Sequence, residues 1–357
     1  MKDVVVLNGD GIGPEIMKVA TDVIECFNLP IRWHHKLAGI TALEHEGALI
    51  PEDTIKAIEA YKSVLKGPMM TPVGKGFRSV NVQMRKLFNL SANIRPASTK
   101  IRLHNRYEDF NITVFRENTE GLYGGEEYLR EDGAAIAEKV VTVEKTEKIM
   151  KAACDYAIAS GIKKVTIGHK ANILKLADGL FLEHALKVGA AYPTLEMEPL
   201  IIDNLCAKVV SKPEDFQVIV TTNLYGDILS DLLGGMVGSI GVLPSMNIGE
   251  EIAFFEPVHG SAPDIVGKSL ANPVGAVLSG AMLLKHLGYV DEGNCIESCV
   301  YDVINEQGTK TGDIGGQAST DDFASTLITT IKNTEGWGDT YGKLSKVTKT
   351  DRSSTAE

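Results

Sequence analysis

The chain has 357 residues, a formal net charge of −11 and 44% hydrophobic residues. This length exceeds the usual size of one hydrophobic core, which predicts two domains. The acidic charge argues against general affinity for nucleic acid or anionic membranes, since both bind basic surfaces. An anionic ligand therefore needs a local group of arginines.

The cysteines and the amino terminus predict a cellular compartment. The five cysteines form no Cys-x-x-Cys pair, so neither a disulfide framework nor a zinc site is expected. Met1 runs directly into an apolar strand pattern, which leaves no room for a signal peptide, and no segment has the apolar length of a membrane span. We predict a cytoplasmic protein.

Short β-branched runs alternate with longer segments of helical period, which is typical of an α/β protein. The runs lie at residues 4–7, 112–115, 165–167, 200–202 and 217–221. The first helix follows Pro14, and its apolar residues within 16–27 recur at the spacing of one buried face. Similar faces lie at 149–157 and 276–287. From Gly336 onward the apolar period fades, which predicts a loosely held tail.

The first strand is followed by a glycine-rich turn, Asn-Gly-Asp-Gly-Ile-Gly-Pro at residues 8–14. The turn resembles a dinucleotide-binding fingerprint, but its glycines are Gly9, Gly11 and Gly13, and Pro14 stands where the last glycine belongs. We interpret the segment as a tight turn that lines a cleft, and not as a Rossmann motif.

Three arginines stand near polar side chains in the first third of the chain. Ser79 and Asn81 precede Arg85, and Arg95 and Arg116 follow. Guanidinium groups grip carboxylates with two parallel hydrogen bonds, so three around one pocket indicate a substrate with several carboxylates. Taken singly, each arginine is more often a surface ion pair, and only convergence in space decides for substrate binding.

Two side chains that can transfer protons follow β runs. They are Tyr123 in Arg-Glu-Asn-Thr-Glu-Gly-Leu-Tyr at 116–123 and Lys170 in Gly-His-Lys-Ala-Asn at 168–172. Either one is a candidate general acid or base. The alternative for each is a packing or capping role.

Three aspartates stand where strand patterns give way to helix. Asp227 and Asp231 are four residues apart, which puts both on one face of a helix, and Asp203 follows the run at 200–202. Carboxylates outside the carboxyl ends of strands suit a hard divalent cation. Helix capping and surface exposure are the alternatives for the single residues.

The segment 256–265 is too rich in turn formers to lie inside a helix or strand. Backbone amides around Gly260 and Ser261 could hold a pyrophosphate, and His259 could contact an adenosine. Asp264 could accept the ribose hydroxyls, and its charge would repel the extra phosphate of NADP.

Five motifs together resemble the metal-dependent β-decarboxylating dehydrogenases that act on isocitrate, homoisocitrate and 3-isopropylmalate. The resemblance runs from Val4 to about Asn333. The motifs are Gly-Asp-Gly-Ile-Gly-Pro at 9–14, Arg-Glu-Asn-Thr-Glu-Gly-Leu-Tyr at 116–123, His-Lys-Ala-Asn at 169–172, Asn-Leu-Tyr-Gly-Asp with Ser-Asp at 223–231, and His-Gly-Ser-Ala-Pro-Asp at 259–264.

The resemblance implies a non-Rossmann α/β fold with two α/β domains and a clasp that pairs two subunits. The implied large, cofactor-binding domain comprises 1–90 and 238–337. The smaller domain comprises 91–120 and 143–237, the clasp 121–142, and a flexible tail 338–357.

The resemblance also implies the chemistry and its cofactors. Mg²⁺ or Mn²⁺ would be bound by Asp203, Asp227 and Asp231, with Lys170 and Asp203 lent across a homodimer interface. Lys170 would take a proton from the substrate hydroxyl, and Tyr123 would protonate the product enol. The implied NAD contacts are Thr71, Asn172, Glu256, His259, Gly260, Ser261, Ala262, Asp264, Ile265 and Asn272.

Substrate choice within the family is expected to lie before Arg85. Ser79 and Asn81 resemble the isocitrate type, whose substrate has a third carboxylate, whereas an isopropylmalate enzyme would show apolar residues there. Homoisocitrate, one methylene longer, remains an alternative, as does a noncatalytic regulatory subunit. Met70 stands where many isocitrate enzymes have a second threonine, which weakens the assignment of Thr71. We expect oxidative decarboxylation of isocitrate to 2-oxoglutarate and CO₂ with NAD.

Overall fold

The computed structural model describes residues 1–70, 79–103, 107 and 109–334. Thr71 and the predicted tail at 338–357 lie outside these residues. The strands are β1 (Lys2–Leu7), β2 (Ile31–Lys36), β3 (Ser63–Lys66), β4 (Ala92–Ser98), β5 (Asn111–Glu117), β6 (Glu127–Leu129), β7 (Ala135–Ala137), β8 (Lys164–His169), β9 (Glu196–Ile201), β10 (Val218–Thr221), β11 (Pro244–Ile248) and β12 (Ala253–Pro257).

The helices lie between these strands and after the last of them. They are α1 (Gly13–Glu25), α2 (Ile40–Glu46), α3 (Glu52–Tyr61), α4 (Val80–Leu87), α5 (Val143–Ala159), α6 (Ala177–Gly189), α7 (Ile202–Ser211), α8 (Asn223–Val237), α9 (Val274–His286), α10 (Val290–Asn305) and α11 (Thr320–Asn333). None of the described helices is long and apolar enough to cross a membrane.

Ten of the described strands form one mixed sheet in the order β2-β1-β3-β12-β11-β4-β5-β10-β8-β9. The outer strands pair in parallel, whereas β12, β11, β4 and β5 pair antiparallel at the centre. An antiparallel centre differs from the all-parallel sheet of a Rossmann domain, as predicted. The predicted domain borders stay predictions, since the sheet runs through both proposed domains.

The hydrophobic core lies on the helix-covered faces of this sheet in three clusters. The first helix buries the predicted face, with Ile16, Val23 and Ile24 at most 2% exposed. It ends at Glu25, before the end of the apolar pattern. Within the predicted clasp, β6 and β7 form a separate two-stranded sheet.

Gly9 and Gly11 hold the turn after β1 against two other loops. Both have positive φ, and a Cβ on Gly9 would lie 2.1 Å from the carbonyl oxygen of Pro68. A Cβ on Gly11 would lie 2.1 Å from that of Ser261. The backbone N of Ile12 also donates to this Ser261 oxygen at 2.9 Å. Close backbone approach therefore requires glycine here, and it fixes the predicted cofactor loop at Ser261.

Candidate active site

The strands β4 and β5 bring two of the predicted arginines to the start of α8. Arg95 Nη1 donates to Ser230 Oγ at 2.7 Å and to Asp227 Oδ1 at 3.2 Å, and it lies 3.5 Å from Asp231 Oδ1. Its Nε donates to Asn93 Oδ1 at 2.6 Å. The predicted helix face with Asp227 and Asp231 is thus turned toward Arg95.

Arg116 is only 1% exposed and connects the same helix to β5. Its Nε and Nη2 donate to Asn223 Oδ1 at 3.0 and 2.8 Å, and its Nη1 donates to Asp227 Oδ1. A Cβ on Gly226 would lie 2.6 Å from Cβ of Arg116. The glycine therefore lets α8 approach β5 closely enough for these contacts.

Tyr123 completes this group through Asp227. Its hydroxyl donates to Asp227 Oδ2 at 2.7 Å, and the guanidinium of Arg116 lies 5.2 Å from its ring centroid. Burial and the bonded Asp227 carboxylate raise the pKa of Tyr123. The phenol is therefore protonated at neutral pH and able to donate a proton.

The three arginines outnumber the two carboxylates that pair with them, Asp227 and Asp231. Burial, followed by the neighbouring Arg95 and Arg85, lowers the pKa of Arg116 to about 9. Burial also lowers the pKa of Arg85. Burial opposes ionisation of Asp227, but Arg116, the Tyr123 hydroxyl and the other arginines lower its pKa overall. Such a site favours a ligand with several negative charges.

The predicted specificity residues lie beside this group on α4. Ser79 precedes the helix, and together with Tyr123 it lines a cavity of about 430 Å³. Asn81 Oδ1 and Arg85 Nε are buried and have no hydrogen-bond partner among the described residues. Buried polar atoms rarely stay unpaired, so both are available for a polar ligand.

A second cavity, of about 410 Å³, does not belong to this site. It is lined by Pro96 and Ser98 of β4 and by Thr113 of β5. Pro96 and Ser98 are one and three positions from Arg95 along β4, and Thr113 is three positions from Arg116 along β5, so their side chains point away from those of the arginines. The cavity therefore lies on the opposite face of the sheet from the arginines.

Lys170 and Asp203 form a separate pair. Lys170 Nζ donates to Asp203 Oδ1 at 2.5 Å, and the Asp203 side chain is 69% exposed. Hydrogen bonding to Lys170 lowers the pKa of Asp203. The described residues contain no group of three side chains that could hold a metal ion. One chain thus gathers Asp227 and Asp231, while Asp203 faces outward with Lys170.

Asp203 differs from the sequence interpretation in its position on the helix. The strand β9 ends at Ile201, and α7 begins at Ile202, so Asp203 lies inside the first helical turn. Ile201 is the residue that precedes the helix. The apolar run at 200–202 hid this boundary because Ile and Leu occur in both strands and buried helix turns.

Several of the predicted cofactor residues lie in the loop that follows β12. His259 Nδ1 lies 3.0 Å from the carbonyl oxygen of Gly260, and its buried Nε2 has no partner among the described residues. Burial lowers the pKa of His259, so the ring is neutral at pH 7. Ala262 has a left-handed backbone with φ of 37°, which turns the chain into the short helical turn Pro263–Ile265 with Asp264.

Of three other predicted cofactor residues, Glu256 and Asn272 are bound within the chain, and Asn172 lies in a different loop. The buried carboxylate of Glu256 is bound by Lys66 and by Asn247 Nδ2, the latter at 2.7 Å. The Asn272 side chain donates to Asp313 Oδ2 at 2.9 Å and accepts from the backbone N of Val274 at 3.0 Å. Asn172 is exposed in the turn after Lys170.

The sequence matches the model of the family described as isocitrate/isopropylmalate dehydrogenase over residues 3–327. The chain belongs to this family. It is 43% identical over 332 residues to a mitochondrial regulatory subunit of isocitrate dehydrogenase [NAD] from Dictyostelium discoideum, covering 93% of this chain and 92% of that protein. It is 42% identical over 320 residues to isocitrate dehydrogenase [NAD] catalytic subunit 6, mitochondrial, of Arabidopsis thaliana, covering 89% and 86%.

A solved structure of the isocitrate/isopropylmalate dehydrogenase family has the same fold. The crystal structure of isocitrate dehydrogenase from Methylococcus capsulatus superposes with a TM-score of 0.90 at 42% identity, covering 93% of this chain and 100% of that one. The family and the fold predicted from the sequence are confirmed.

Several residues of this family member's site were missed from the sequence. Asn223 binds Arg116 and Ser230 binds Arg95, and both lie inside the motif at 223–231 that contains Asp227 and Asp231. Asp10, buried after β1, accepts hydrogen bonds from the backbone N of Ile40, Thr41 and Met70. It thereby fixes the segment that leads to Thr71. A polar residue inside a glycine turn was the available signal.

Proposed function

We propose that the chain is a catalytic, NAD-dependent isocitrate dehydrogenase that converts isocitrate to 2-oxoglutarate and CO₂. The observation that carries the proposal is the convergence of Arg85, Arg95 and Arg116 on Tyr123 and Asp227. Three guanidiniums match a substrate with three carboxylates, and the tyrosine supplies a proton beside it. Relatives named as isocitrate dehydrogenase subunits support the same substrate.

The polar residues on α4 favour isocitrate over the other family substrates. The Ser79 hydroxyl can donate a hydrogen bond to a third carboxylate near the end of the site. The Asn81 carboxamide can donate one as well when it is flipped, which puts its Nδ2 in the place of the unpaired Oδ1. An isopropyl group would leave these groups without partners, which disfavours 3-isopropylmalate strongly. Homoisocitrate stays the second candidate because one methylene changes binding by only ~1–3 kcal/mol.

The donor set of this chain fits a divalent cation in part. Asp227 is held ionised, and Asp231 lies on the same helix face with a 60% exposed side chain. Hard cations such as Mg²⁺ or Mn²⁺ take carboxylate oxygens of this kind. We propose that Asp203 of a second copy completes the set. A bound cation would polarise the substrate hydroxyl and its neighbouring carboxylate.

In the proposed reaction the residues of the chain have distinct roles. The arginines bind and orient the substrate carboxylates in a site where burial strengthens the contacts. Lys170 of a second copy accepts the proton of the 2-hydroxyl as a hydride leaves for NAD. Tyr123, neutral because its pKa is raised, returns a proton to the carbon that has lost CO₂.

The assignment to NAD rests on Asp264. Its carboxylate would accept the ribose hydroxyls and repel a 2′-phosphate. His259, Gly260, Ser261, Ala262 and Ile265 would hold the rest of the nucleotide. Glu256 and Asn272 are engaged within the chain, so we assign them to shaping this region through Lys66 and Asp313.

Catalysis is favoured over a regulatory role by the residues present. One of the two compared relatives is named regulatory and the other catalytic, and their identities to this chain are similar, so similarity does not separate these roles. The chain retains Tyr123, Lys170 and all three aspartates. We propose a homodimer, in which Lys170 and Asp203 serve the site of the other copy. A cytoplasmic location stays a prediction, since both compared relatives are named mitochondrial.

The test is steady-state kinetics of the purified chain with isocitrate, homoisocitrate and 3-isopropylmalate, each against NAD and NADP. We expect NADH formation with isocitrate, at a kcat/KM well above that of every other combination. The variant Asp227→Asn is the matched inactive control. Failure of the lone chain to turn over any substrate would refute the catalytic proposal, and a preference for homoisocitrate would change the substrate.

A further inference from the structure

A buried carboxylate outside the arginine site holds the backbone at Lys170. Asp178 lies in the first turn of α6 and is fully buried. Its Oδ2 accepts a hydrogen bond from the backbone N of Lys170 at 2.7 Å. Its Oδ1 accepts one from Nζ of Lys139, whose side chain is also largely buried. The proposed reaction uses neither Asp178 nor Lys139.

Tyr225 extends this group to the helix that carries the metal-binding aspartates. Nζ of Lys139 lies 4.4 Å from the Tyr225 ring centroid. Burial, together with Asp178, which accepts a hydrogen bond from the phenol, raises the pKa of Tyr225 to about 12. Tyr225 lies in the first turn of α8, two residues before Asp227. The buried group of Asp178, Lys139 and Tyr225 therefore contacts the same part of α8 that carries Asp227.

Lys139 connects the group to the segment that carries Tyr123. The next residue, Val140, exchanges two backbone hydrogen bonds with Gly121, at 2.8 and 3.3 Å. Gly121 is two residues before Tyr123. Asp178, Lys139 and Tyr225 therefore join the backbone segments that hold Lys170, Asp227 and Tyr123.

We infer that Asp178 is a positioning residue that fixes the Lys170 turn against the segments carrying Tyr123 and Asp227. The inference rests on the proposed function, in which Lys170 serves the site of a second copy. A carboxylate suits this position because its two oxygens accept hydrogen bonds from three donors, the backbone N of Lys170, Nζ of Lys139 and the Tyr225 hydroxyl. A carboxamide has a single acceptor oxygen, so in Asp178→Asn one donor loses its partner.

The first test compares single variants of the whole chain. Asp178→Asn should lower kcat by at least ~10-fold and leave the KM for isocitrate within ~3-fold, because a misplaced Lys170 impairs chemistry more than binding. Lys139→Arg, which keeps the charge, should retain more activity than Lys139→Met. Asp155→Asn, on the exposed face of α5, is the matched control without effect. If Asp178→Asn alone folds poorly, the double variant Asp178→Asn with Lys139→Met is measured instead. The second substitution removes the lysine charge that Asp178→Asn leaves without its partner.

Hydrogen exchange gives a readout that does not depend on turnover. The amide of Lys170 donates to Asp178, so exchange of residues 168–174 should become faster in Asp178→Asn, while exchange in α11 stays unchanged. If both kcat and this exchange match the wild type, the inference is overturned. If the wild-type chain is inactive, the proposed function fails, and the exchange alone decides the role of Asp178.

Hybrid dimers of differently tagged copies test whether Asp178 acts through Lys170. One copy carries Asp227→Asn and the other Asp178→Asn. The impaired Lys170 then serves the site that Asp227→Asn has already inactivated, so the other site should give about half of the wild-type activity. An inactive hybrid would show that Asp178 acts on its own copy's α8 and would overturn the inference.

A control hybrid separates this outcome from failure of the shared site. It combines Lys170→Met in one copy with Asp227→Asn in the other, and it should also keep about half of the wild-type activity. If it is inactive, Lys170 acts within its own chain and the shared-site proposal fails. The single-variant kinetics and the hydrogen exchange then still decide whether Asp178 positions Lys170.

Discussion

Replacing Arg116 by methionine should abolish substrate binding and leave the ligand-free fold nearly as stable as the wild type. The pKa of Arg116 falls to about 9 because its guanidinium is buried beside Arg95 and Arg85. The difference between this value and the ordinary arginine pKa of 12.5 corresponds to destabilisation on the order of 5 kcal/mol at neutral pH. Methionine removes both the buried charge and its repulsion by the other arginines, and it fills a similar volume.

The substitution also has costs. Asn223 Oδ1 loses two donors, and Asp227 keeps only Arg95 and the Tyr123 hydroxyl. Each loss costs about 1–3 kcal/mol. The gain and the losses nearly cancel, so we expect a change within about 2 kcal/mol. Simple rupture of a buried ion pair would instead destabilise by about 3–5 kcal/mol.

The assay is urea unfolding with and without tricarballylate, a tricarboxylate that cannot react. At 100 times its dissociation constant the ligand should stabilise the wild type by about 2.7 kcal/mol, and it should not stabilise Arg116→Met. Arg32→Met, a substitution at an exposed arginine, is the matched control and should respond like the wild type. A loss above ~4 kcal/mol without ligand, or equal stabilisation of both proteins, would refute the reasoning.

The pH dependence of the same experiment has a defined sign. Below pH 9 both the folded and the unfolded chain hold the Arg116 proton, so the full destabilisation is present. As pH rises through about 9 the folded state releases the proton first, and the unfolded state binds more protons. The wild type should therefore gain stability relative to Arg116→Met between pH 8 and ~10.

Three further predictions concern turnover. Lys170→Met should lower kcat by about 10²–10⁴-fold, as expected for loss of a proton acceptor, whereas Lys175→Met in the same turn should not; equal losses would assign the effect to the turn. Asn81→Ala should raise the KM for isocitrate by ~10-fold or more with kcat nearly unchanged, and a selective loss of kcat would contradict a binding role. Asp264→Lys should shift the ratio of kcat/KM for NADP over NAD by ~10-fold or more toward NADP, and an unchanged ratio would remove Asp264 from nucleotide choice.

Local sequence patterns predicted part of the fold. The strands β1, β5, β8 and β10 are buried apolar runs, and these patterns are visible in sequence. The polar strand β2, Ile-Arg-Trp-His-His-Lys, was missed because it lies at the sheet edge, where alternate side chains face solvent. The antiparallel centre was not predicted, since strand pairing depends on contacts distant in sequence; the resemblance implied only a non-Rossmann α/β fold.

The sequence also predicted only part of the candidate site. The residue types of the arginines, Tyr123 and Asp227 indicated their chemistry, and the structure brings them together. Asn223, Ser230 and Asp178 gain their roles from contacts across 39 to 135 positions of sequence, with Lys139, Arg116 and Arg95. Sequence spacing carries no such information. The proposed metal-binding role of Asp203 depends on a second copy, which a single chain does not contain.

The central claim is that a divalent cation held by Asp227 and Asp231 is required for turnover of isocitrate. The direct measurement is NADH formation by the purified chain after exhaustive chelation, followed by stepwise addition of Mn²⁺. We predict no turnover in excess chelator and full recovery on Mn²⁺ addition in the wild type, with no recovery in Asp227→Asn. An undiminished rate in excess chelator would contradict the account.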